Sequence, residues 1–339
     1  MGIPNYDMGK SQTLDLPILL KPEDCKGRTY IVTGANSGIG YECAKHLVTL
    51  GSARVIITAR DTQKGEAAKI AIESASGRKD VVEVFHLDLC SYENVRAFAQ
   101  KIKTQVDRVD GVIANAGVAN GQWFEKEGEE ESLTVNLFST LLLLNLLVPY
   151  LKTMQEKFDI TPRFTLVGSL GPLLATKWPL TDVNRDDIFN DLNDKKKWGK
   201  KEMNYRYILT KLLLHYSIRQ LTTLKPASEA GVIINVTEPG LCNTKLSSNF
   251  SWKVRLVTWF ALTVAGRTPE MGSRAILAGM ALGEESHGKF VSDCKVFEER
   301  LPEWVTNDEG QLWQKRTWEE VAAKLEKIEP GSLDWAVAK

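Results

Sequence analysis

The sequence predicts an α/β fold with a doubly wound parallel sheet, built as one domain with decorated ends. Short runs rich in β-branched residues alternate with longer helical patterns along most of the 339-residue chain, which is typical of βαβ units. The first such run leads directly into a glycine-rich turn and then into a helical pattern. Because crossovers between parallel strands are right-handed, repetition of this unit produces a doubly wound sheet.

In the first half of the chain, each predicted strand is followed by a helix. Strands are predicted at 28–33, 54–58, 81–87 and 111–114, and helices at 39–50, after Asp61 and at 91–106. Gly51 is the stop signal of the first helix.

The second half continues the alternation around one polar insertion. Helices are predicted at 131–154, 203–224 and 269–282, and strands at 163–168, 231–236 and 289–291. The insertion at 176–202 carries the charge run Asp194-Lys195-Lys196-Lys197, which favours a solvated surface.

These patterns divide the chain into a lead-in at 1–26, a central domain at 27–295 and a charged, Trp-containing extension at 296–339. Residues 242–268 are predicted to form a lid over an apolar ligand pocket. The apolar run Val254–Ala265 within them is shorter than the ~20 residues that span a bilayer. Peripheral contact with a membrane surface is the alternative.

The composition argues against several classes of function. The 43 basic and 43 acidic residues cancel, so no net field directs the chain to nucleic acid or to anionic lipid. The five cysteines are scattered without CxxC spacing and the four histidines form no HExxH pattern, so neither a disulfide framework nor a metal site is expected. Free cysteines favour a reducing compartment such as the cytoplasm, and neither a signal peptide nor a transmembrane segment is expected.

The glycine turn between the first strand and the first helix predicts a dinucleotide site. Glycine permits a tight turn and close approach of the backbone, and the helix N-terminus attracts a pyrophosphate. Its position between strand and helix is the context that this motif needs. We expect cofactor contacts from Gly34, Asn36, Ser37, Gly38, Ile39 and Gly40.

The end of the second strand predicts which nucleotide is bound. An acidic residue there binds the ribose hydroxyls of NAD, whereas an arginine accepts the 2′-phosphate of NADP. The chain has Arg60 followed by Asp61, and the planar guanidinium of arginine suits phosphate. We therefore predict NADP, with a surface Arg60 and a ribose-binding Asp61 as the alternative. Asp88, followed by Leu89, is predicted to contact the adenine, unless Asp88 serves only as a turn residue.

A tyrosine and a lysine one helical turn apart predict acid–base chemistry. Tyr207 and Lys211 share one face of the helix at 203–224. An ammonium beside a phenol lowers the pKa of the phenol, which would allow Tyr207 to exchange a proton with a carbonyl or alcohol oxygen. The alternative is a chance pair on an amphipathic helix.

Taken in order, the glycine turn, Asn115-Ala116-Gly117, Ser169 and Tyr207-x-x-x-Lys211 resemble the short-chain dehydrogenase/reductase family over about residues 27–295. The resemblance implies a Rossmann-type single domain with a seven-stranded parallel sheet. It implies a catalytic tetrad of Asn136, Ser169, Tyr207 and Lys211, and further cofactor contacts from Asn115, Ala116, Gly117, Pro239, Gly240 and Thr244.

Within the family, Thr58-Ala59-Arg60 and other short matches resemble retinol-dehydrogenase-like members, and the whole sequence resembles reductases of fungal natural-product pathways. Two departures stand out. Thr210 occupies a place where serine is usual, and the stretch between Ser169 and Tyr207 is longer than the common version.

The expected function is NADP(H)-dependent hydride transfer to or from a lipophilic ketone, aldehyde or alcohol, in secondary metabolism. The resemblance implies that Tyr207 donates the proton, Ser169 holds the reacting oxygen and Lys211 binds the nicotinamide ribose. Asn136 would hold a water that links Lys211 to solvent. Two alternatives stay open: isomerisation or cyclisation with the cofactor as a spectator, and a non-catalytic NADP sensor. The family often pairs through the helices that contain Asn136 and Tyr207, so a homo-oligomer is one expectation.

Overall fold

The structure of the chain, a computed structural model, describes residues 7–174, 180–199, 203–244 and 266–337. The strands of these ranges are β1 (Thr29–Val32), β2 (Arg54–Ala59), β3 (Val82–His86), β4 (Gly111–Ala114), β5 (Glu125–Lys126), β6 (Glu129–Glu130), β7 (Arg163–Val167), β8 (Ile233–Thr237), β9 (Phe290–Ser292) and β10 (Lys295–Val296). The predicted doubly wound sheet is confirmed, with eight strands in the order β10-β9-β8-β7-β4-β1-β2-β3. All neighbours are parallel except β10, which runs antiparallel to β9 at the edge.

Helices connect the strands and extend beyond them at both ends of the described chain. They are α1 (Met8–Gln12), α2 (Pro22–Cys25), α3 (Gly38–Thr49), α4 (Thr62–Ser76), α5 (Tyr92–Gln105), α6 (Glu131–Phe158, with a π-helical turn at Thr134–Ser139), α7 (Gly171–Leu174), α8 (Ile188–Leu192), α9 (Met203–Leu224), α10 (Ala227–Ala230), α11 (Pro269–Ala281), α12 (Glu303–Thr306), α13 (Asp308–Ile328) and α14 (Asp334–Val337).

Helices cover both faces of the sheet. One face packs against α3, α4 and α11, and the other packs against α5, α6 and α9. Strands β1, β4 and β8 are buried along their whole length, as expected for parallel strands covered on both sides. The chain order reverses between β1 and β4, so a crevice opens at the carboxyl ends of these two strands.

Helix α6 is the one helix of the described residues that is long and apolar enough to cross a membrane. However, 89% of its most apolar window is buried inside the fold. Its apolar side chains pack against α5, α9 and the sheet, so α6 is a core helix.

The C-terminal extension adds a further layer of helix outside α9. Helix α13 packs along α9, and its buried side chains belong to the same hydrophobic cluster as those of α9. These side chains are Trp313, Trp318, Val321 and Leu325. The extension therefore contributes directly to the core behind the helix that carries Tyr207.

The insertion between β7 and α9 is anchored by a buried arginine. Arg206 is paired with Glu130, at 3.2 Å from Nε to Oε2, and their side chains are 1% and 0% exposed. The guanidinium donates to the Leu192 carbonyl at 2.5 Å and lies over the rings of Trp123 and Trp198. The described part of the insertion is thus fixed to the residue that precedes Tyr207.

The sequence-based prediction omits the long helix α13 and several short elements, among them the β5–β6 hairpin, β10 and α1. The β5–β6 hairpin and β10 are two-residue strands, too short to show an alternating pattern. Helix α1 has five residues and is capped by Asp7, whose carboxylate accepts a hydrogen bond from Lys10 N. The predicted lid at 242–268 falls largely on residues 245–265, outside the described residues.

Candidate active site

The glycine turn between β1 and α3 borders a cavity of 570 Å³ at the carboxyl ends of the strands. Gly34 and Gly38 both have φ of +63°, a conformation that favours glycine. A Cβ on Gly34 would lie only 2.9 Å from Ala116 Cα. Ser37 is the N-cap of α3, yet its side chain makes no capping bond, so the first amides of α3 face the cavity without a side-chain acceptor and can bind an anion.

Asn115 fixes this turn from the end of β4. Its amide nitrogen donates to the carbonyls of Thr33 and Gly34 at 2.9 and 3.1 Å. Gly40, predicted to touch the cofactor, does not line the cavity. A Cβ there would lie 2.4 Å from Asn115 Nδ2, so this glycine allows close packing of α3 against Asn115.

Arg60 and Asp61 have different surroundings at the end of β2. Arg60 is exposed and lines the cavity. Asp61 caps α4 by accepting from Gln63 N and Lys64 N, and these backbone bonds lower the pKa of Asp61. Its carboxylate is therefore engaged by the helix, and it is not among the cavity-lining residues.

Asp88 and Leu89 follow β3 and both line the cavity. One carboxylate oxygen of Asp88 accepts from Cys90 N at 3.0 Å, which is an Asx-type turn. Asp88 therefore serves as a turn residue and also faces the cavity, and its contact with the adenine stays a prediction.

Ser169, Tyr207 and Lys211 meet at the inner end of the cavity. The side chains of Ser169 and Tyr207 are hydrogen-bonded to each other. Lys211 Nζ lies 5.9 Å from the centroid of the Tyr207 ring and donates to the Val167 carbonyl at 2.5 Å. Helix α9 thus places Tyr207 and Lys211 at the end of β7, next to Ser169.

The pKa of Tyr207 differs from the sequence-based expectation. Burial raises the pKa of Tyr207 to about 12, and the hydrogen bond from Ser169 offsets only part of this shift. The lowering of this pKa by Lys211 that the sequence predicts is not found, and the Lys211 ammonium donates to the Val167 carbonyl. Burial also lowers the pKa of Lys211 to about 8. The Tyr207 phenol is therefore protonated at neutral pH, the form that a proton donor requires.

Asn136 lies behind the cavity wall, in the π-helical turn of α6, and is 1% exposed. Its Oδ1 accepts from Val118 N at 2.8 Å. Its amide nitrogen donates to the Val118 carbonyl at 2.8 Å and to Thr210 Oγ1 at 3.1 Å. Both amide hydrogens are thereby used, so the side chain braces the loop after β4 against α9. Thr210, in place of the usual serine, supplies one of these contacts.

The loop after β8 closes the cavity beside Tyr207. Pro239, Gly240 and Thr244, which are predicted to contact the cofactor, line it. Leu241 and Cys242 between them also line it, and sequence reasoning missed these two.

Most predicted site residues lie on one cavity. Those that line it are Gly34, Asn36, Ser37, Gly38, Ile39, Arg60, Asp88, Leu89, Asn115, Ala116, Gly117, Ser169, Tyr207, Lys211, Pro239, Gly240 and Thr244. The lining residues not predicted are Thr58, Ala59, Leu87, Cys90, Val118, Ala119, Val135, Val167, Gly168, Leu241 and Cys242. Each of these lies within two positions of a predicted residue, which is the signal that could have found them. Within the described ranges, no cluster of three or more His, Cys, Asp or Glu side chains is placed to hold a metal ion.

Comparison with known proteins places this geometry in a family. Residues 28–159 match the model of the short chain dehydrogenase family. The chain is 37% identical to the short chain dehydrogenase/reductase dmxR8 of Cryptosporiopsis sp., over 90% of this chain and 92% of that protein. It is 33% identical to the short-chain dehydrogenase anuD of Penicillium roqueforti, over 91% of this chain and 80% of that protein.

Solved structures show the same fold at lower identity. The RhlG/NADP active-site complex of Pseudomonas aeruginosa superposes with a TM-score of 0.60 at 22% identity, covering 80% of this chain and 97% of that one. A metagenomic short-chain oxidoreductase in complex with NADP gives a TM-score of 0.52 at 20% identity, over 79% and 96% of the two chains. With identity above 30% to proteins matched over nearly their whole length, this chain belongs to the short-chain dehydrogenase/reductase family.

Proposed function

We propose that this protein is an NADP(H)-dependent oxidoreductase that transfers hydride between nicotinamide and a carbonyl or alcohol carbon of a lipophilic small molecule, in secondary metabolism. The observation that carries the proposal is the meeting of Ser169, Tyr207 and Lys211 in the same cavity as the uncapped N-terminus of α3. Fungal relatives of the same family support the metabolic setting.

The residues of the cavity fit a dinucleotide with a 2′-phosphate. The first amides of α3 suit the pyrophosphate, and the glycine at position 34 lets the turn pack directly against Ala116. Arg60 lies at the end of β2 facing the cavity, while Asp61 is engaged by α4. A guanidinium without a competing acidic side chain favours the 2′-phosphate of NADP over the ribose hydroxyls of NAD. NADP complexes among the structural neighbours support the same cofactor.

The bound nicotinamide supplies or accepts the hydride at the substrate carbon. In the direction of reduction, the Tyr207 hydroxyl gives its proton to the carbonyl oxygen as the carbon receives the hydride, and the product is the alcohol. Ser169 donates a hydrogen bond to the same oxygen, and the Lys211 ammonium binds the ribose hydroxyls beside it. Asn136 and Thr210 hold the loop after β4 in register with α9. Apolar side chains such as Val118, Ala119 and Leu241 favour a lipophilic substrate.

The decisive experiment follows NADPH absorbance with a panel of lipophilic ketones and aldehydes for the native chain and for Tyr207→Phe. Loss of a general acid lowers turnover by roughly 10²–10⁴-fold, and we expect a loss in that range. Tyr216→Phe is the matched control, because Tyr216 lies on the same helix and its buried hydroxyl has no hydrogen-bond partner among the described residues. That variant should retain native turnover.

Other outcomes would replace the proposal. Undiminished activity of Tyr207→Phe would remove its proton-donor role. Conversion of a substrate without oxidation of NADPH would indicate an isomerase or cyclase. Tight NADPH binding without turnover of any compound would indicate a sensor.

A further inference from the structure

The loop Pro239–Cys242 is held from outside by the N-terminal segment of the chain. Its Leu241 amide donates to Gln12 Oε1 at 2.9 Å. Its Pro239 carbonyl accepts from Arg267 Nη1 at 3.2 Å. Gln12 is the last residue of α1 and is 8% exposed. Two polar groups of the loop backbone therefore depend on side chains far away in sequence.

Arg267 joins this loop to α1 through a buried network. Its side chain is 1% exposed and pairs with Asp293 at 2.7 Å from Nη2 to Oδ1. The same nitrogen donates to the Ser11 carbonyl at 2.7 Å. The Ser11 hydroxyl in turn donates to Asp293 Oδ2 at 2.8 Å. Because a buried ion pair is stable only when its remaining polar groups are satisfied, Ser11 is part of the network that fixes the guanidinium.

The backbone of Arg267 also forms two hydrogen bonds with the chain at Leu241 and Asn243. Its amide donates to the Leu241 carbonyl at 2.7 Å, and its carbonyl accepts from Asn243 N at 3.0 Å. Thus Arg267 clamps the loop with its backbone and ties the same loop to α1 with its side chain.

The contact between α1 and the loop leaves no spare room. Gly240 has φ of +80°, and a Cβ there would lie 2.8 Å from Arg267 Nη1 and 2.9 Å from Gln12 Nε2. The loop is therefore seated directly against both side chains.

We propose that α1 is a strap that positions the loop Pro239–Cys242 against the nicotinamide half of the cofactor, with Gln12 as the positioning residue. This inference rests on the proposed function. Hydride transfer requires the nicotinamide to lie beside Tyr207 and Ser169, and the loop lines that part of the cavity. Arg60 and Asp88 flank the cavity at the ends of β2 and β3, where the adenosine half would lie. The hydrogen bonds of Ser11 and Gln12 described above go to the loop and to the pair of Arg267 with Asp293, so we expect the strap to act on the nicotinamide half of the cofactor.

The test compares binding of NADPH with binding of 2′,5′-ADP, which contains only the adenosine half, by isothermal titration of the full chain. Gln12→Met keeps the length of the side chain but loses the carbonyl acceptor. Because a buried amide that loses its acceptor is left unsatisfied, we expect NADPH binding to weaken roughly tenfold, while 2′,5′-ADP binding stays within about twofold of native. Gln12→Glu keeps an acceptor oxygen and should retain native NADPH affinity.

Thr13→Ala is the control within the same segment, because within the described ranges the Thr13 hydroxyl donates only to the Lys10 carbonyl and the residue is exposed. It should leave both affinities unchanged. Native affinity of Gln12→Met for NADPH would overturn the strap, and so would an equal loss of NADPH and 2′,5′-ADP, which indicates general disorder. If the native chain binds neither ligand, the proposed function fails together with the strap. If the native chain binds both and Gln12→Met does too, only the strap fails.

Discussion

Arg60 faces the cavity, whereas the neighbouring Asp61 is bound to the first amides of α4. This arrangement supports the proposal that the chain binds NADP in preference to NAD. Sequence reasoning could find both residues, since both stand at a strand end, but it could not tell which one was already engaged by a helix.

Arg60→Ala should therefore weaken the binding of NADPH and leave the binding of NADH nearly unchanged. Loss of a charge-assisted phosphate contact costs roughly 1.5–3 kcal/mol, so we expect the KM for NADPH to rise at least tenfold while the KM for NADH changes little. Lys64→Ala is the control, because Lys64 is a nearby exposed cation paired with Asp61 and does not line the cavity. Equal losses for both nucleotides in Arg60→Ala would contradict the assignment.

Burial of the Lys211 ammonium lowers the free energy of unfolding by an amount that depends on pH. Burial lowers its pKa from 10.5 to about 8 in the folded chain, so the unfolded chain binds the proton more tightly. The cost is complete below about pH 8, where both states are protonated, and it fades as pH rises towards the unfolded value near 10.5.

Lys211→Met should accordingly stabilise the protein without ligand, even though it should abolish activity. A shift of this size corresponds to up to about 3 kcal/mol in the free energy of unfolding at pH 7, and the gain should roughly halve by about pH 9.5. Urea denaturation of both proteins at the two pH values checks this. Lys64→Met, at an exposed site, should show no such pH-dependent gain. A gain that did not change with pH would show that packing, and not charge, was responsible.

At the scale of elements, the strands and helices that surround the cavity were predictable because each has a regular hydrophobic periodicity and ends at a turn residue. The ends of the predicted strands differ from those observed by one or two residues, as for β8 (Ile233–Thr237) against a predicted 231–236. The prediction failed for α1 and β10, whose place is set by contacts with distant parts of the chain. Gln12 and Leu241 are 229 positions apart, and no local pattern encodes such a contact.

Helix α13 supplies a test of how far the core extends. Leu325 on this helix is 0% exposed and Leu312 on the same helix is 39% exposed. Leu325→Ala should lower the free energy of unfolding by about 2–5 kcal/mol through lost burial and a cavity, whereas Leu312→Ala should change it by less than about 0.5 kcal/mol. Urea denaturation followed by circular dichroism measures both. A small effect of Leu325→Ala would mean that α13 unfolds separately from the sheet and α9.

At the scale of the whole molecule, the doubly wound topology followed from the sequence because the order of strands, glycine turn and helices leaves few alternatives. The same topology explains why the predicted site residues lie close together, since the carboxyl ends of parallel strands lie at one edge of the sheet. What could not be foreseen was the network behind that edge: the engagement of Asn136 by Val118 and Thr210, and the buried pair of Arg206 with Glu130. Both sets of contacts join segments that are distant in sequence, so no local sequence pattern indicates them.

The Arg206 anchor has a consequence for any attempt to remodel this enzyme by exchanging segments with a relative. Grafting a shorter connection between β7 and α9 would remove the Leu192 carbonyl and the Trp198 ring that accompany the guanidinium. The pair of Arg206 with Glu130 would then stay buried with fewer polar partners around the guanidinium, and the cost of desolvating its charges would be less well offset. Recombination at this point therefore requires Arg206 and Glu130 to be replaced together by apolar side chains. The connecting segment and helix α9 should therefore be exchanged together.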